Sequence, residues 1–493
     1  MKEPVTRIIA VSNRLPIRLV NGPDGLEIKP GEGGLVTALA PVFRNRGGVW
    51  IGWSGGSDDD DLAGLLEPAS REAGYRLYPV PLSADKVCDY YYGFSNEVIW
   101  PLFHDLQTRC NFKPRYWQQY LNVNRKFAEI TTKYSTETDY IWVHDYHLMY
   151  MAKSLKELGV ERRTGFFLHI PFPSADIFMK LPWRAQILRA LLEYELVGFQ
   201  TMRDRKNFIQ CLRYISSDIR ISGRGSVVTV IVGDKRVRVG AFPISIDYDA
   251  FARDAESKEV ADLAWYLHEA LPNRQVILGV DRLDYTKGIP ERLEAFKDAL
   301  FRFPELQGKT TLVQVVVPSR EEVPEYQTLK AELYRLVGEI NGQFTRSGWV
   351  PIHYLYRSLD RSELLAYYRL AEIALITPLK DGMNLVAKEY CACNLEENGV
   401  LILSEFAGVA AHLHRNAIMV NPYDVEGMSN AIHEAFHMDQ TERHNRMHRL
   451  REIVHQRDIF WWVNNFLEAA IAKDLRAFPA IEDYMPDITL VSK

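Results

Sequence analysis

The chain has 493 residues, 47% of them apolar and 25% charged, a balance that excludes a disordered or fibrous protein and a length that exceeds one ordinary hydrophobic core. Its formal charge of −5 is spread in mixed signs with no long basic block, which excludes global attraction to nucleic acid or anionic lipid and leaves any anionic ligand to local Lys and Arg. No apolar run reaches a membrane span, the opening MKEPVTRIIAVSN reads as a strand rather than a signal peptide, and five cysteines without a CxxC pair suit free thiols in a reducing compartment; the expectation is a cytoplasmic protein with no membrane or nucleic-acid partner.

Short β-branched runs alternate with longer amphipathic stretches, the pattern of parallel strands joined by helices, so the fold class is α/β. Strands are expected at Arg7 to Val11, Val49 to Gly52, Tyr140 to His144, Thr164 to His169 and Leu196 to Gln200, with Trp117 to Thr131 helical between them. Val227 to Ile231 and Arg236 to Gly240 form a β pair around Gly233-Asp234, and the proline-bearing FPISID that follows sets a domain boundary near Pro243. The alternation restarts with Gln275 to Val280, Leu312 to Val317, Tyr354 to Tyr356, Ala374 to Thr377 and Val400 to Ser404, which predicts a second doubly wound sheet. The domains are thus 1–242 and 243–457, followed by a helical segment at 458–493, and ligands are expected in a cleft at the carboxyl ends of the strands.

Chemistry-bearing motifs fall at those strand ends. GVDRLDYTKG (Gly279 to Gly288) delivers Arg282 and Lys287, a fork and a point charge suited to a departing diphosphate; an ordinary ion pair with Asp281 or Asp284 explains the same residues. TPLKDGMNLVAKE (Thr377 to Glu389) places a turn before a helix start, where backbone N–H groups around Met383, Asn384, Leu385 and Val386 suit phosphate oxygens. Asp381 suits sugar hydroxyls there and Glu389 a ribose, against the plainer readings of an Asp cap and a Lys388/Glu389 surface pair.

In the first half, SNRLP carries Arg14, GEGGL carries Gly34, and the strand-end motifs HDYHL and FLHIPFPS offer Asp145 and His169. Trp53, Tyr91 and Trp100 lie in aromatic-rich stretches that suit a sugar face or, equally, a core, and Arg320 follows a strand as a second phosphate contact. GWSGG fits a serine-hydrolase pattern through Ser54, yet an acidic stretch (Asp58 to Asp61) follows instead of a helix; GKT at Gly308 to Thr310 precedes a strand, which excludes a phosphate-binding loop. His144 and His147 lack a third metal ligand at useful spacing, and Asp247-x-Asp249 sits where a helix cap is expected, so no metal is assigned.

Together VSNRLP, GWSG, YYGFSNEVIWPLFH, IWVHDYHL, FFLHIPFPS, VDRLDYTKGIPER and TPLKDGMNLVAKEY resemble the trehalose-6-phosphate synthase family, in order, from Arg7 to about Tyr423. The resemblance implies a GT-B architecture, two Rossmann-like domains around an active-site cleft, with the last helix, around Asp458 to Ala472, returning to the first domain. It implies a retaining transfer of glucose from UDP-glucose or another NDP-glucose to glucose 6-phosphate, with no cofactor beyond the nucleotide sugar and no metal. By matching positions, Arg14 and Arg320 hold the acceptor phosphate and Trp53, Tyr91, Trp100 and Asp145 surround its sugar. Gly34, His169, Arg282, Lys287, Asp381, Met383 to Val386 and Glu389 hold the donor, and Arg282, Lys287, His169 and Asp381 stand at the reacting centre. Asn21 to Gly34 resembles the family's mobile lid loop.

A double displacement would require a carboxylate beneath the anomeric carbon, and no residue offers itself, which favours a same-face route dominated by positioning and electrostatics. The alternatives are a same-fold transferase or pseudo-glycosyltransferase with another phosphorylated acceptor, and a catalytically silent sugar-phosphate sensor. A homo-oligomer is expected, as for many cytosolic enzymes.

Overall fold

The protein is described here by a computed structural model over residues 7–22, 25–31, 34–55, 62–320, 323–479 and 481–486. The acidic run Asp58 to Asp61 lies outside the described residues. Two compact units emerge: Met1–Ile244 with Ile459–Ile481, and Ser245–Asp458 with Glu482–Lys493.

Strands such as Tyr140–His144 and Val400–Ser404 are buried along their whole length, which their continuous apolar or aromatic sequences allow and which a sheet covered by helices on both faces requires. In the first unit the nine-stranded sheet runs Arg76–Pro79, Val49–Trp53, Ile8–Arg14, Tyr140–His144, Arg163–Phe167, Leu196–Phe199, Lys235–Ala241, Val227–Val232, Ile219–Ser222. It is parallel as far as Lys235–Ala241, after which the last two strands pair antiparallel. The second unit's six-stranded sheet runs Ile352–Tyr356, Thr310–Val317, Gln275–Arg282, Ile373–Ile376, Val400–Ser404, Ile418–Val420, all parallel.

In each sheet the earliest parallel strand is flanked by later strands on both sides, Ile8–Arg14 in one and Gln275–Arg282 in the other. Strand order reverses there, and the chain leaves the two neighbours toward opposite faces, which opens a crevice at the carboxyl end. Arg14 and Arg282 are the terminal residues of those two strands.

The helices follow from their apolar spacing. Pro114–Tyr134 starts with proline in its first turn and buries Tyr116, Tyr120, Val123, Phe127 and Thr131, a stripe at helical intervals. Helix Ile459–Ile471 packs in the first unit: Trp462 is wholly buried, donates from Nε1 to the Phe242 carbonyl at 3.1 Å, and lies 5.0 Å, centroid to centroid, from both Trp142 and Phe167. Among the described residues no helix is long and apolar enough to cross a membrane.

Five strands are absent from the sequence-based expectations: Arg76–Pro79, Ile219–Ser222 and Ile418–Val420, all sheet edges of three or four residues and too short to show a period, and the pair Ile17–Gly22 and Gly25–Pro30. Within the Asn21 to Gly34 segment, Asn21, Gly22 and Gly25–Pro30 belong to an antiparallel pair, Ile17–Gly22 with Gly25–Pro30, in register from Ile17 opposite Pro30 to Gly22 opposite Gly25, while Pro23, Asp24, Glu32 and Gly33 lie outside the described residues.

Replacing Trp462 by Ala removes a large buried ring and strands the Phe242 carbonyl, so urea denaturation is expected to show a loss of about 3–5 kcal/mol. A loss below about 1 kcal/mol, the range of an ordinary surface change, contradicts the assignment of this helix to the first unit's core.

Candidate active site

In the first unit the end of Ile8–Arg14 is bent by a register shift between Val11 and Arg14 against Val49–Trp53. Buried polar side chains fix the bend: Ser12 Oγ donates to the Arg14 carbonyl at 2.6 Å and accepts from Trp50 Nε1 at 2.8 Å, while Asn13 Oδ1 accepts from the Tyr90 hydroxyl at 3.0 Å. Gly52 is required alongside, because a Cβ there would stand 2.7 Å from the Arg14 carbonyl carbon. The bulge re-aims Arg14, which is exposed and stacks its guanidinium 4.2 Å from the Trp53 centroid and 5.4 Å from that of Tyr91.

Tyr91 lies on a π-helical stretch, Cys88–Ile99, a wide coil that often marks functional sites. Its ring stacks on His147 at 5.8 Å, His147 lies 3.9 Å from the Tyr146 ring, and Tyr146 lies 5.7 Å from Trp100. Asp145 holds φ at 75°, a region that costs a non-glycine residue about 1–3 kcal/mol. One carboxylate oxygen accepts from the His169 N–H at 3.2 Å and the other stands 3.9 Å from His147 Nδ1. The acceptor candidates Arg14, Trp53, Tyr91, Trp100 and Asp145 therefore form one connected cluster, with His169 on its border.

His169 Nε2 and His144 Nδ1 are 3.2 Å apart, close enough for one neutral imidazole to donate to the other. Burial depresses both, His169 to about 3 and His144 well below the ordinary imidazole value, with a charge on His144 further opposed by His169. His144 Nδ1 is thereby engaged by His169. Gly34 opens helix Gly34–Arg46, while Glu32 and Gly33 of GEGGL lie outside the described residues.

The second unit brings its two motifs together at the strand switch. Leu379 N–H donates to the Thr286 carbonyl at 2.8 Å, and Gly288, with φ 64°, passes so close that a Cβ would stand 2.3 Å from the Thr377 carbonyl oxygen. The result sets Lys287 Nζ 2.6 Å from Asp381 Oδ2, which also accepts from Asn384 Nδ2 at 3.2 Å. Asn384, at φ 75°, is the actual cap: its Oδ1 accepts from the Ala387 N–H, so the Asp381 cap reading gives way. Met383 is buried just before helix Leu385–Cys393, whose first turn includes Leu385 and Val386.

Asp284 is fully buried and fixed by the Thr286 N–H and hydroxyl; Arg282 approaches it to 3.9 Å and Arg320 to 3.7 Å. The two arginines, with Lys287 and the Thr286 N–H, outweigh burial and hold the Asp284 carboxyl below its usual range. Arg320 also donates to the Tyr326 hydroxyl at 2.7 Å and, at φ 50°, is held in the left-handed region. Arg282 and Arg320, predicted for opposite substrates, thus converge on one carboxylate in this unit, whereas Arg14 belongs to the other unit. Glu389 accepts from the Tyr368 hydroxyl at 2.8 Å and burial raises its carboxyl. Lys388 is buried, pushed down to about 7 mainly by that burial, so the surface-pair reading of Lys388/Glu389 is incorrect.

Arg292 escapes the motif search. Wholly buried, it donates to Asp281 Oδ2 at 2.5 Å, Gln314 Oε1 at 3.1 Å, Thr377 Oγ1 at 3.1 Å and the Lys287 carbonyl at 3.4 Å. Its signal was present: Arg292 falls between Ile289, Leu293 and Phe296 on the apolar face of its helix, where a cation needs a buried partner. Of six non-glycine residues with positive φ among those described, Asp145, Arg320 and Asn384 belong to the predicted motifs, a concentration typical of functional sites. Asp247 caps helix Tyr248–Glu256 through the Ala250 N–H at 3.1 Å, as its spacing predicted, and Ser54 is buried.

The sequence model of glycosyltransferase family 20 matches residues 6–472. The chain is 44% identical over 467 residues to a protein named trehalose-6-phosphate synthase from Mycobacterium sp. (strain JLS), covering 94% of this chain and 95% of that one. A solved structure of an α,α-trehalose-phosphate synthase (UDP-forming) from Burkholderia xenovorans in complex with glucose-6-phosphate is 32% identical with TM-score 0.85, over 94% of this chain and 99% of that chain. One from E. coli bound with UDP-2-fluoro glucose is 35% identical with TM-score 0.84, over 95% and 99%.

Removing one partner of the Arg292–Asp281 pair leaves an uncompensated buried charge, so Arg292→Met is expected to cost about 3–5 kcal/mol in chemical denaturation. Asp281→Asn in that background recovers part of the loss; no recovery contradicts the pairing. For His144 and His169 the folded pKa values lie below the unfolded value of about 6.5, so the unfolded chain binds protons first as pH falls. Their contribution to stability is complete above about pH 6.5 and declines steadily toward pH 3. Melting temperatures between pH 8 and 5 test this: the His144→Gln, His169→Gln double variant should lose stability less steeply on acidification than the parent, and an unchanged slope contradicts the neutral pair.

Proposed function

The chain belongs to glycosyltransferase family 20, and on that premise we propose that it is a trehalose-6-phosphate synthase, a retaining glucosyltransferase that moves glucose from UDP-glucose to glucose 6-phosphate. The carrying observation is the switch point of the second sheet, where Lys287 lies on Asp381 and Arg282 ends the adjacent strand. A diphosphate entering there meets an Arg fork and a Lys point charge supplied by rigid strand-end segments, the arrangement that stabilises a leaving group as its charge develops.

In this reading the N–H groups of Leu385 and Val386, in the first helical turn, hold phosphate oxygens, Asp381 accepts from hydroxyls of the transferred glucose, and Glu389 binds the ribose beside Tyr368. Gly34 and His169 complete the donor set, and the neutrality of His169 lets it donate or accept a hydrogen bond without adding charge. Arg14, stiffened by Trp53, and Arg320 hold the acceptor phosphate, with Trp53, Tyr91, Trp100 and Asp145 around the sugar.

The reaction then follows a same-face course. The bond from the anomeric carbon to the diphosphate oxygen breaks, the acceptor hydroxyl oxygen bonds to that carbon, and its proton passes to the departing phosphate oxygen. Arg282 and Lys287 stabilise the accumulating negative charge, so positioning and electrostatics supply the catalysis without metal. The enzyme is proposed to be a cytoplasmic homo-oligomer, and its modest net charge of −5 favours the absence of a nucleic-acid or membrane partner.

Arg282→Ala and Lys287→Ala are each expected to lower kcat by about a hundredfold or more, and near-normal turnover in both overturns the assignment. Arg320→Ala touches a phosphate remote from the reacting centre and should raise the KM for glucose 6-phosphate about tenfold or more while shifting that for the nucleotide sugar less. Comparing UDP-, GDP- and ADP-glucose as donors, each with glucose 6-phosphate, tests the base. EDTA should leave the rate intact, whereas loss of rate restored by Mg²⁺ contradicts the metal-free route.

A further inference from the structure

Away from these motifs, the second unit carries three metal-ligating side chains on two elements. His433 and His437 lie four residues apart on helix Val425–His437, which puts both imidazoles on one face, and Glu305 stands on the single turn Pro304–Leu306. Glu305 Oε1 is 2.9 Å from His433 Nε2 and 3.8 Å from His437 Nε2, and one ligand atom from each residue lies within 4.8 Å of the other two. No other group of three His, Cys or carboxylate ligands among the described residues converges so closely.

Donor atoms bound to a tetrahedral ion at ~2.1 Å lie about 3.4 Å apart, so these spacings need only small side-chain rotations to accept one. His433 is already oriented, its ring stacked on Phe303 at 4.0 Å and 18°. Glu305 and His437 are exposed, leaving the site open to solvent and to a water as fourth ligand.

We propose that Glu305, His433 and His437 form a surface site for a borderline-soft divalent cation of the Zn²⁺ class, clamping helix Val425–His437 to the turn that follows helix Ile289–Arg302. Two imidazoles and one carboxylate match Zn²⁺ and its late first-row neighbours, whereas Mg²⁺ and Ca²⁺ prefer all-oxygen sets. The molecule supplies its own contrast: His444 and His448 also lie four residues apart beside Glu397, but Arg451 Nε stands 3.3 Å from that carboxylate, placing a cation where an ion would go. The clamp acts on stability and takes no part in glucosyl transfer.

The test is calorimetric titration of the full-length protein with ZnCl₂ in chelator-free buffer, paired with melting curves. The parent should bind one ion at this site and melt higher with zinc than without. His437→Ala and Glu305→Gln should each weaken binding by about 10–100-fold or more, since even changes outside the ligand set commonly cost that much. The His444→Ala, His448→Ala double variant should respond like the parent, and MgCl₂ should produce no shift. Absence of zinc binding by the parent, an undiminished response in His437→Ala and Glu305→Gln, loss of the response in the His444/His448 double variant, or an equal shift with MgCl₂ would each overturn the proposal.

Discussion

Arg292 is buried completely, and a guanidinium in that position must find a partner for its charge and for its N–H groups or lose several kcal/mol of solvation. It finds them in four segments at once: the end of Gln275–Arg282 through Asp281, the middle of Thr310–Val317 through Gln314, the end of Ile373–Ile376 through Thr377, and the turn at Lys287. The strand ends and the two motif loops of the second unit are thereby fixed as one rigid piece. Lys287 and Asp381 meet because their backbones are held by this hub and by the close passage of Gly288 over Thr377, and Arg282 is aimed because its strand ends where Asp281 is tied down.

The first unit solves the same positioning problem with different means. There the terminal bend of the first strand is held by uncharged partners, Ser12, Asn13, Trp50 and Tyr90, and the arginine it presents is steadied by aromatic faces instead of carboxylates. A guanidinium resting on Trp53 keeps its charge uncompensated by any fixed anion in that contact, which suits an anionic ligand. In the second unit Arg282 and Arg320 converge on the Asp284 carboxylate, so a fixed anion rather than an aromatic face orients them. The chain is a family 20 glycosyltransferase of GT-B architecture, and on the proposed assignment of these residues both designs would serve a reaction in which charge must be met by dipoles and cations already in place. The strained backbones of Asp145, Arg320 and Asn384 are the local cost of that preorganisation, held by the packed sheets behind them.

Sequence by itself determined the α/β class, the two parallel sheets and the motif positions at strand ends, because buried parallel strands must be continuously apolar and because special residues stand out where such runs stop. It also carried the family, through several uncommon motifs in order. Local capping was partly legible: Asp247 capped its helix as its spacing indicated, but Asp381 did not, since Lys287, 94 residues earlier, claims its carboxylate. Only tertiary structure decided that Lys388 is buried, that Asn384 takes the cap, that Arg282 and Arg320 share Asp284, and that Arg292 holds the centre. The physical reason is range: periodicity and turn chemistry act over a few residues and leave a mark in the sequence. A buried charge is paid for by partners far along the chain, and their identity exists only once the sheet has brought them together.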